Sequence, residues 1–153
     1  MGKPEIKISG ITKNVNFGDN VTIIEPVNLY GCSIGHDCFV GPFVEIQKNV
    51  KIGNRTKVQS HSFICELVTI GEDCFISHGV MFINDKFEKG SPAGGDKSLW
   101  KKTLIGNNVS IGTNATILPV KIVDNVVIGA GSVVTKDLLE PGVYVGNPAR
   151  KIR

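Results

Sequence analysis

Large apolar residues recur at every sixth position along most of this 153-residue chain. Two steps of five residues interrupt the period, and it is lost altogether across residues 83–104. Such a short period indicates small structural units that bury their apolar faces only by stacking on one another. The nineteen anchor positions are Ile11, Phe17, Ile23, Leu29, Ile34, Val40, Ile46, Ile52, Val58, Ile64, Ile70, Ile76, Phe82, Ile105, Ile111, Ile117, Ile122, Ile128 and Val134.

Two companion positions define the geometry of each repeat. The residue after an anchor is often glycine, which suits a corner that needs a positive φ or a close approach of two backbones. The fourth residue after an anchor is small or β-branched, and we interpret Cys38 and Cys74 there as buried packing residues. Two inward residues in every six predict short parallel strands wound into a coil. The corner glycines are Gly18, Gly35, Gly41, Gly53, Gly71, Gly106, Gly112 and Gly129.

A β-sandwich is the alternative to a coil of this kind. Its hairpins would need Asn-Gly or Asp-Gly turns, and neither dipeptide occurs in the chain. Abundant Val, Ile and Gly with only 7% aromatic residues favours strands and tight turns. The length predicts one domain, residues 1–153, of the all-β class.

Charge and hydropathy exclude several classes of function. The net charge of +3 is mild and its signs are mixed, so we expect no nucleic-acid partner. No apolar run approaches a membrane span, and the N-terminal residues lack the apolar core of a signal peptide. The four cysteines contain no CxxC pair. We therefore expect a cytoplasmic protein without disulfides and without a bound metal.

Two segments carry a resemblance to a known family. The tandem [LIV]-G-x-x-x-x pattern and the ending IGAGSVVTKDLLEPGVYVGNPARKI at 128–152 resemble the hexapeptide-repeat acyltransferases. Residues 40–85 look like the branch that N-acetylates the 3-amino group of dTDP- or UDP-linked 3-amino-3-deoxy sugars. The resemblance implies a left-handed parallel β-helix with 18 residues per turn, acetyl-CoA as co-substrate, and a homotrimer.

The 18-residue turn suggests where polar side chains lie. His61 and His78 fall on adjacent coils, one residue out of line, and Glu66 stacks directly on Asn84. Neighbouring strands are about 4.8 Å apart. We therefore expect these four groups to meet near one edge of the prism, with Asp85 beside them.

Their chemistry suits acyl transfer to an amine. The imidazole of His78 is a candidate base, because its ordinary pKa lies near neutrality. Glu66 is a candidate partner for the substrate ammonium or for a histidine, and Asn84 for sugar hydroxyls or the oxyanion. His61 and Asp85 are candidate substrate-binding residues. In the resembling N-acetyltransferases the departing thiolate takes up the proton, so a role for His78 in positioning the sugar stays open.

The interruption of the repeat predicts a long insertion in the solenoid. It spans about residues 85–103 and contains four turn-forming residues and Trp100. A long insertion in a regular solenoid is usually functional or disordered. The family resemblance implies an arm that reaches toward a neighbouring subunit, and a tolerated surface loop is the alternative.

The resemblance places coenzyme A at the last coils. Gly112, Ala130 and Gly131 would let the pantetheine arm lie against backbone amides. Lys136 and Arg150 would meet the phosphates. Gly112 is also a corner glycine, so packing alone would explain it.

Three other functions remain as alternatives. An O-acetyltransferase would share the fold, but the interruption contains no histidine, which counts against a hydroxyl acceptor. A γ-class carbonic anhydrase would need three zinc-ligating histidines, and the chain has only His36, His61 and His78, without H-x₄-H spacing. A non-catalytic solenoid would show ladders of threonine and no such C-terminal signature.

Overall fold

The computed structural model describes residues 12–153 and shows three parallel sheets that share one axis. The chain passes from sheet I to sheet II to sheet III and back, completing about seven turns of a left-handed β-helix. The predicted fold class is therefore confirmed. Ile11, the first anchor, lies outside the described residues.

The strands are two to four residues long. Sheet I contains β1 (Thr12–Lys13), β4 (Asn28–Tyr30), β7 (Glu45–Ile46), β10 (Phe63–Ile64), β13 (Met81–Phe82), β16 (Thr116–Ile117) and β19 (Val133–Val134). Sheet II contains β2 (Asn16–Phe17), β5 (Ser33–Ile34), β8 (Lys51–Ile52), β11 (Val68–Ile70), β14 (Thr103–Ile105) and β17 (Lys121–Ile122).

Sheet III closes each turn and ends in the one antiparallel pair of the described chain. It contains β3 (Thr22–Ile23), β6 (Phe39–Val40), β9 (Lys57–Val58), β12 (Phe75–Ile76), β15 (Ser110–Ile111), β18 (Val126–Ile128), β20 (Gly142–Val145) and β21 (Arg150–Lys151). Within residues 12–153 the one helical segment is a 3₁₀ turn, Lys97–Leu99, and no helix there is long and apolar enough to cross a membrane.

The anchors form the core of the prism. Every anchor from Leu29 to Val134 is buried, and anchors of adjacent coils pair with one another, as Leu29 does with Ile46 and Ile117 with Val134. The small positions between them are buried too, including Cys38 and Cys74 as predicted. Phe17, on the first coil, is 43% exposed. Thr12 pairs with Leu29, so the predicted six-residue step from Ile11 to Phe17 is wrong, and the first coil takes a five-residue step instead.

Corner glycines are needed for close approach rather than for their φ. A Cβ on Gly53 would lie 2.6–2.8 Å from backbone atoms of the next coil, which is closer than non-bonded atoms allow. The positive φ angles fall two residues later, for example at Arg55 and Asp73. The sequence analysis offered a positive φ or a close backbone approach as the reason for these glycines. At these corners the positive φ is wrong and the close approach is right.

The corner between sheets II and III is a ladder of side-chain caps. The backbone N–H of His36 donates to Asn54 Oδ1 on the next coil (2.9 Å). Glu72 N donates to Asn107 Oδ1 (2.8 Å), and Asn107 N donates to Asp124 Oδ1 (2.7 Å). These side chains accept hydrogen bonds from backbone N–H groups that the sheets leave unpaired. Corner II/III therefore serves to stabilise the fold.

All irregularities of length fall on the corner between sheets I and II. The steps Thr12–Phe17, Leu29–Ile34 and Ile117–Ile122 have five residues there, whereas anchors at corners II/III and III/I are always six apart. The long insertion, residues 83–102, leaves from the same corner between β13 and β14. We call this insertion the arm, and its presence is confirmed.

Candidate active site

The corner between sheets III and I is polar and differs from the capped corner. On adjacent coils, Ser60 Oγ lies 2.8 Å from His78 Nδ1. Above them, Ser77 Oγ lies 2.8 Å from Thr113 Oγ1. The backbone N–H groups of His78 and Thr113 donate no hydrogen bond within residues 12–153. Corner III/I therefore carries a row of side-chain and backbone donors that runs along the prism axis.

His61 lies on the same corner, one coil before His78. Its φ is 64°, and its ring packs against that of Phe43 with centroids 4.9 Å apart and the planes tilted by 31°. The neighbour of His78 across the coils is Ser60, which is consistent with the one-residue offset between His61 and His78. Ser60 was missed in the sequence, although its spacing of 18 residues from His78 would have identified it.

Glu66 and Asn84 stack as predicted, but at a different corner. Asn84 Nδ2 donates to the backbone oxygen of Glu66 (3.1 Å) where sheet I meets sheet II. Strands β10 and β13 of sheet I separate this pair from the two histidines. The prediction that all four groups meet at one edge is therefore wrong, because successive six-residue repeats lie on different faces.

The carboxylate of Glu66 already has a cation. Lys97 Nζ, from the arm, donates to both of its oxygens at 2.9 and 3.1 Å. Glu66 is only 8% exposed, and the hydrogen bond to its carboxylate raises the pKa of Lys97. Lys97 also lies 4.9 Å from the centroid of the Trp100 ring. Nothing in the sequence places Lys97 here, because it belongs to the segment without a repeat.

A further row of polar groups leads away from Glu66 along sheet I. The N–H of Glu66 donates to Gln47 Oε1 (3.2 Å), and Gln47 Nε2 donates to Glu45 (2.9 Å). Burial raises the pKa of Tyr30, and the carboxylates of Glu45 and Glu66 raise it further. Corner I/II is therefore a connected polar network.

Asp85 organises the arm from its base. Its two carboxylate oxygens accept from the backbone N–H groups of Phe87 (2.9 Å) and Ala93 (2.7 Å). Lys101 N donates to the backbone oxygen of Asn84 (2.9 Å), so the arm returns to the point at which it left. These contacts give Asp85 a structural task in addition to the substrate-binding one expected for it.

Three of the five residues expected for coenzyme A lie together. Gly112, Ala130 and Gly131 follow Thr113 and His78 along corner III/I, and a Cβ on Gly112 would lie 2.5 Å from Ala130 N. A Cβ on Gly131 would meet nothing within 4 Å, so its outer side is open. The N–H of Ala130 has no acceptor within the part of the chain that the structure describes.

The two expected phosphate cations are separated. Arg150 lies in β21, and the preceding Ala149 donates from its backbone N–H to Val133 O at the same end of corner III/I. Lys136 follows β19 at corner I/II, on the far side of sheet I. One chain therefore brings Arg150, but not Lys136, to the glycine-rich end of the corner.

The cysteines are free and buried. Burial raises the pKa of Cys32 to about 11 and that of Cys65 to about 12, so both thiols stay protonated at neutral pH. Residues 12–153 hold no group of three or more His, Cys, Asp or Glu side chains arranged for a metal ion.

A surface groove of about 500 Å³ lies away from His61 and His78. It opens beside sheet II and is lined by residues that include Leu104, Lys121 and Leu139. His61 and His78 are not among its lining residues.

Two sequence models of hexapeptide repeats each match part of the chain. The model described as bacterial transferase hexapeptide (six repeats) matches residues 31–66, and the hexapeptide repeat of succinyl-transferase matches residues 102–136. Together with the solenoid, these matches show that the chain is built of hexapeptide repeats similar to those of the bacterial hexapeptide transferases.

Curated relatives are larger proteins. The bifunctional protein GlmU of Clostridium botulinum (strain ATCC 19397 / Type A) is 37% identical over 113 residues, which are 73% of this chain and 22% of that protein. GlmU of Streptococcus uberis is 32% identical over 136 residues, 88% of this chain and 30% of that protein. The chain thus spans less than a third of the length of these relatives.

Solved structures share the fold. A hexapeptide-repeat acetyltransferase of Vibrio cholerae, complexed with acetyl-CoA, is 25% identical with a TM-score of 0.68, over 80% of this chain and 70% of that one. Galactoside acetyltransferase in complex with coenzyme A is 30% identical with a TM-score of 0.65, over 92% and 64%. AntD, an N-acyltransferase of Bacillus cereus in complex with dTDP and coenzyme A, is 23% identical with a TM-score of 0.68, over 93% and 81%.

Proposed function

We propose that this chain is an acetyl-CoA-dependent N-acetyltransferase that acts on the 3-amino group of a dTDP- or UDP-linked 3-amino-3-deoxy sugar. Its natural place is the cytoplasm, where acetyl-CoA is made. The observation that supports an amine rather than a hydroxyl as the acceptor is the environment of His78. Within residues 12–153 its side-chain partner is the hydroxyl of Ser60 and not a carboxylate.

A serine hydroxyl supports a weaker base than a carboxylate does. A carboxylate stabilises the imidazolium that forms when histidine takes a proton, as in a catalytic triad, whereas a neutral hydroxyl supplies no compensating charge. A hydroxyl acceptor must be deprotonated as it attacks, but a neutral amine is nucleophilic by itself. The amine nitrogen would attack the thioester carbonyl, the C–S bond would break, and the thiolate would take the proton.

Acetyl-CoA fits the glycine-rich end of corner III/I. The small residues Gly112, Ala130 and Gly131 leave backbone donors uncovered, and the N–H of Ala130 is directed to no acceptor of the described chain. The amide carbonyls of a pantetheine arm are suitable acceptors for such donors. Arg150 supplies a charge for the phosphates at this end, and Lys136 would serve from a neighbouring subunit.

The separation of the two polar corners suits a site shared between subunits. His61 and His78 lie at corner III/I, while Glu66, Asn84 and the arm with Asp85 lie at corner I/II. In a homotrimer, corner III/I of one protomer would face corner I/II of the next. The binding cleft would then form only on assembly.

The decisive experiment compares acceptors. Purified protein with acetyl-CoA should release free thiol in the presence of a dTDP- or UDP-linked 3-amino-3-deoxy sugar, and the product should carry an amide. Maltose, serine and chloramphenicol provide hydroxyl and non-sugar controls. Turnover of those controls, without turnover of amino sugars, would contradict the proposal.

An O-acetyltransferase is the second candidate. The likeness to galactoside acetyltransferase, at 30% identity, favours it. An ester product on a sugar hydroxyl in the same assay would establish this candidate in place of the first.

A further inference from the structure

Phe43 occupies a position that sequence and energy both disfavour. It lies at corner III/I with φ = 60°, a region that bulky side chains rarely adopt. Of the thirteen non-glycine residues with a positive φ within residues 12–153, six are asparagine, which tolerates this conformation. The ring of Phe43 is also 58% exposed, so neither a favourable backbone conformation nor burial explains a phenylalanine at this position. The left-handed φ itself is set by the corner, since His61, Asn114 and Gly131 share it on later coils, so it is the choice of an exposed phenylalanine that needs a reason.

The ring forms one wall of a groove. The ring packs at a tilt of 31° against the imidazole of His61, which is also held at a positive φ. The groove has a volume of about 300 Å³. Its lining residues are Pro26, Val27, Asn28, Phe43, Val44 and Glu45.

The far wall of the groove is polar and acidic. Glu45 accepts hydrogen bonds from Asn28 Nδ2 (3.0 Å) and Gln47 Nε2 (2.9 Å), which fix its carboxylate in place. A carboxylate has about four lone-pair sites, so Glu45 retains capacity for a ligand donor. Its charge disfavours a phosphate here and favours a ring that carries an N–H group.

We propose that the Phe43 groove binds the base of the nucleotide that carries the acceptor sugar, with the base stacked on Phe43 and its N–H edge directed to Glu45. This inference rests on the proposed function and names the subsite for its nucleotide. Bases stack readily on aromatic side chains because every base offers a π-face.

The position of the groove along the prism suits this assignment. Phe43 lies on the second described coil and His78 on the fourth, so they are separated by two strand spacings, about 10 Å. The ribose and diphosphate can bridge that distance. Corner III/I would then hold the base, the amino sugar and the pantetheine arm in order, with Phe43, His78 and Gly131 marking the three positions.

Binding of nucleoside diphosphates tests the inference. Calorimetric titration with UDP and dTDP should show that Phe43→Ala weakens binding about 5- to 150-fold, the range that loss of base stacking produces. Phe43→Tyr should restore affinity, since it keeps the aromatic face. Inorganic pyrophosphate, which lacks a base, should give no difference between Phe43→Ala and the parent protein.

Phe87 is a matched control. It is also 58% exposed and also has a positive φ (52°), but it lies in the arm and lines no part of the groove. Phe87→Ala should therefore bind UDP and dTDP as the parent does. Equal losses in both alanine variants, or unchanged binding by Phe43→Ala, would overturn the inference.

Two further outcomes are decisive. If Phe43→Ala changes only the molar mass in solution, the ring covers a second copy of the chain and the inference fails. If Phe43→Ala leaves the KM for the nucleotide-linked amino sugar unchanged while acetyl transfer proceeds, the inference fails and the proposed function stands. If no amino sugar is acetylated, the proposed function fails, and the titrations still decide whether the groove binds a base.

Discussion

The Ser60–His78 hydrogen bond sets what the histidine can do. When Ser60 donates to Nδ1, the imidazole carries its proton on Nε2 and can only donate from there. When Nδ1 donates to Ser60, Nε2 is left with its lone pair and can accept a proton. Because a hydroxyl permits both arrangements, His78 is suited to hold a sugar hydroxyl or amine rather than to serve as a strong base.

We therefore expect His78→Ala to lower kcat less than about tenfold and to raise the KM for the acceptor, the pattern of lost positioning. Ser60→Ala should produce a smaller change in the same direction, and Ser60→Thr should restore the parent values. Steady-state kinetics across pH 5.5–8.5 provides the measurement. A loss of about 10²-fold or more in kcat for His78→Ala, with disappearance of the acidic limb, would identify His78 as the base.

At the scale of elements, the arm is tied to the prism by one partly buried ion pair. Lys97 reaches Glu66 from the arm, and the pairing raises the pKa of Lys97 above its ordinary value. A raised lysine pKa stabilises the folded arm below the ordinary lysine pKa, and this contribution is lost as pH rises through the raised value. The contact is therefore fully present at neutral pH.

The substitution Lys97→Met removes the ammonium group but keeps an unbranched apolar side chain, and we expect it to release the arm from Glu66. We expect limited proteolysis to cut residues 83–102 several-fold faster, with little change in the melting of the solenoid, because local opening is independent of the stacked coils. Lys89→Met is the matched control, since Lys89 is an arm lysine whose contact with Asp96 is 4.0 Å long and exposed. Equal cleavage of the parent and Lys97→Met would show that the ion pair does not hold the arm.

The repeat determines most of what the sequence reveals, and its limits are physical. The spacing of the anchors predicts the pairing of Ile34 with Ile52 and of Ile105 with Ile122, because burial permits no other register. It predicts neither the contact of Lys97 with Glu66, which arises from a segment without a period, nor the separation of the two polar corners. The separation of the two polar corners can be deduced only when each six-residue repeat is assigned to its own sheet of the prism.

At the scale of the whole molecule, the proposed cleft requires more than one copy. Because the two polar corners lie at opposite edges of sheet I in one prism, we expect a homotrimer in solution at micromolar concentration. Light scattering should give a molar mass three times the 16.4 kDa of the chain. A monomer would contradict this expectation.

Subunit mixing tests whether the cleft is shared. A trimer assembled from His61→Ala/His78→Ala protomers and Asn84→Ala protomers contains some clefts with both parent corners. We expect such mixtures, unfolded and refolded together, to exceed the activity of either variant alone. Failure to exceed it would indicate that each cleft belongs to one chain.

The confinement of every length change to corner I/II has a practical meaning. Corners II/III and III/I are fixed by caps and stacked side chains, so an added residue there would shift every following coil out of register. Corner I/II accepts a five-residue step, a six-residue step or the 20-residue arm without disturbing the sheets. Corner I/II is therefore the place where a foreign peptide could be inserted, or where the chain could be circularly permuted, while the solenoid keeps its shape.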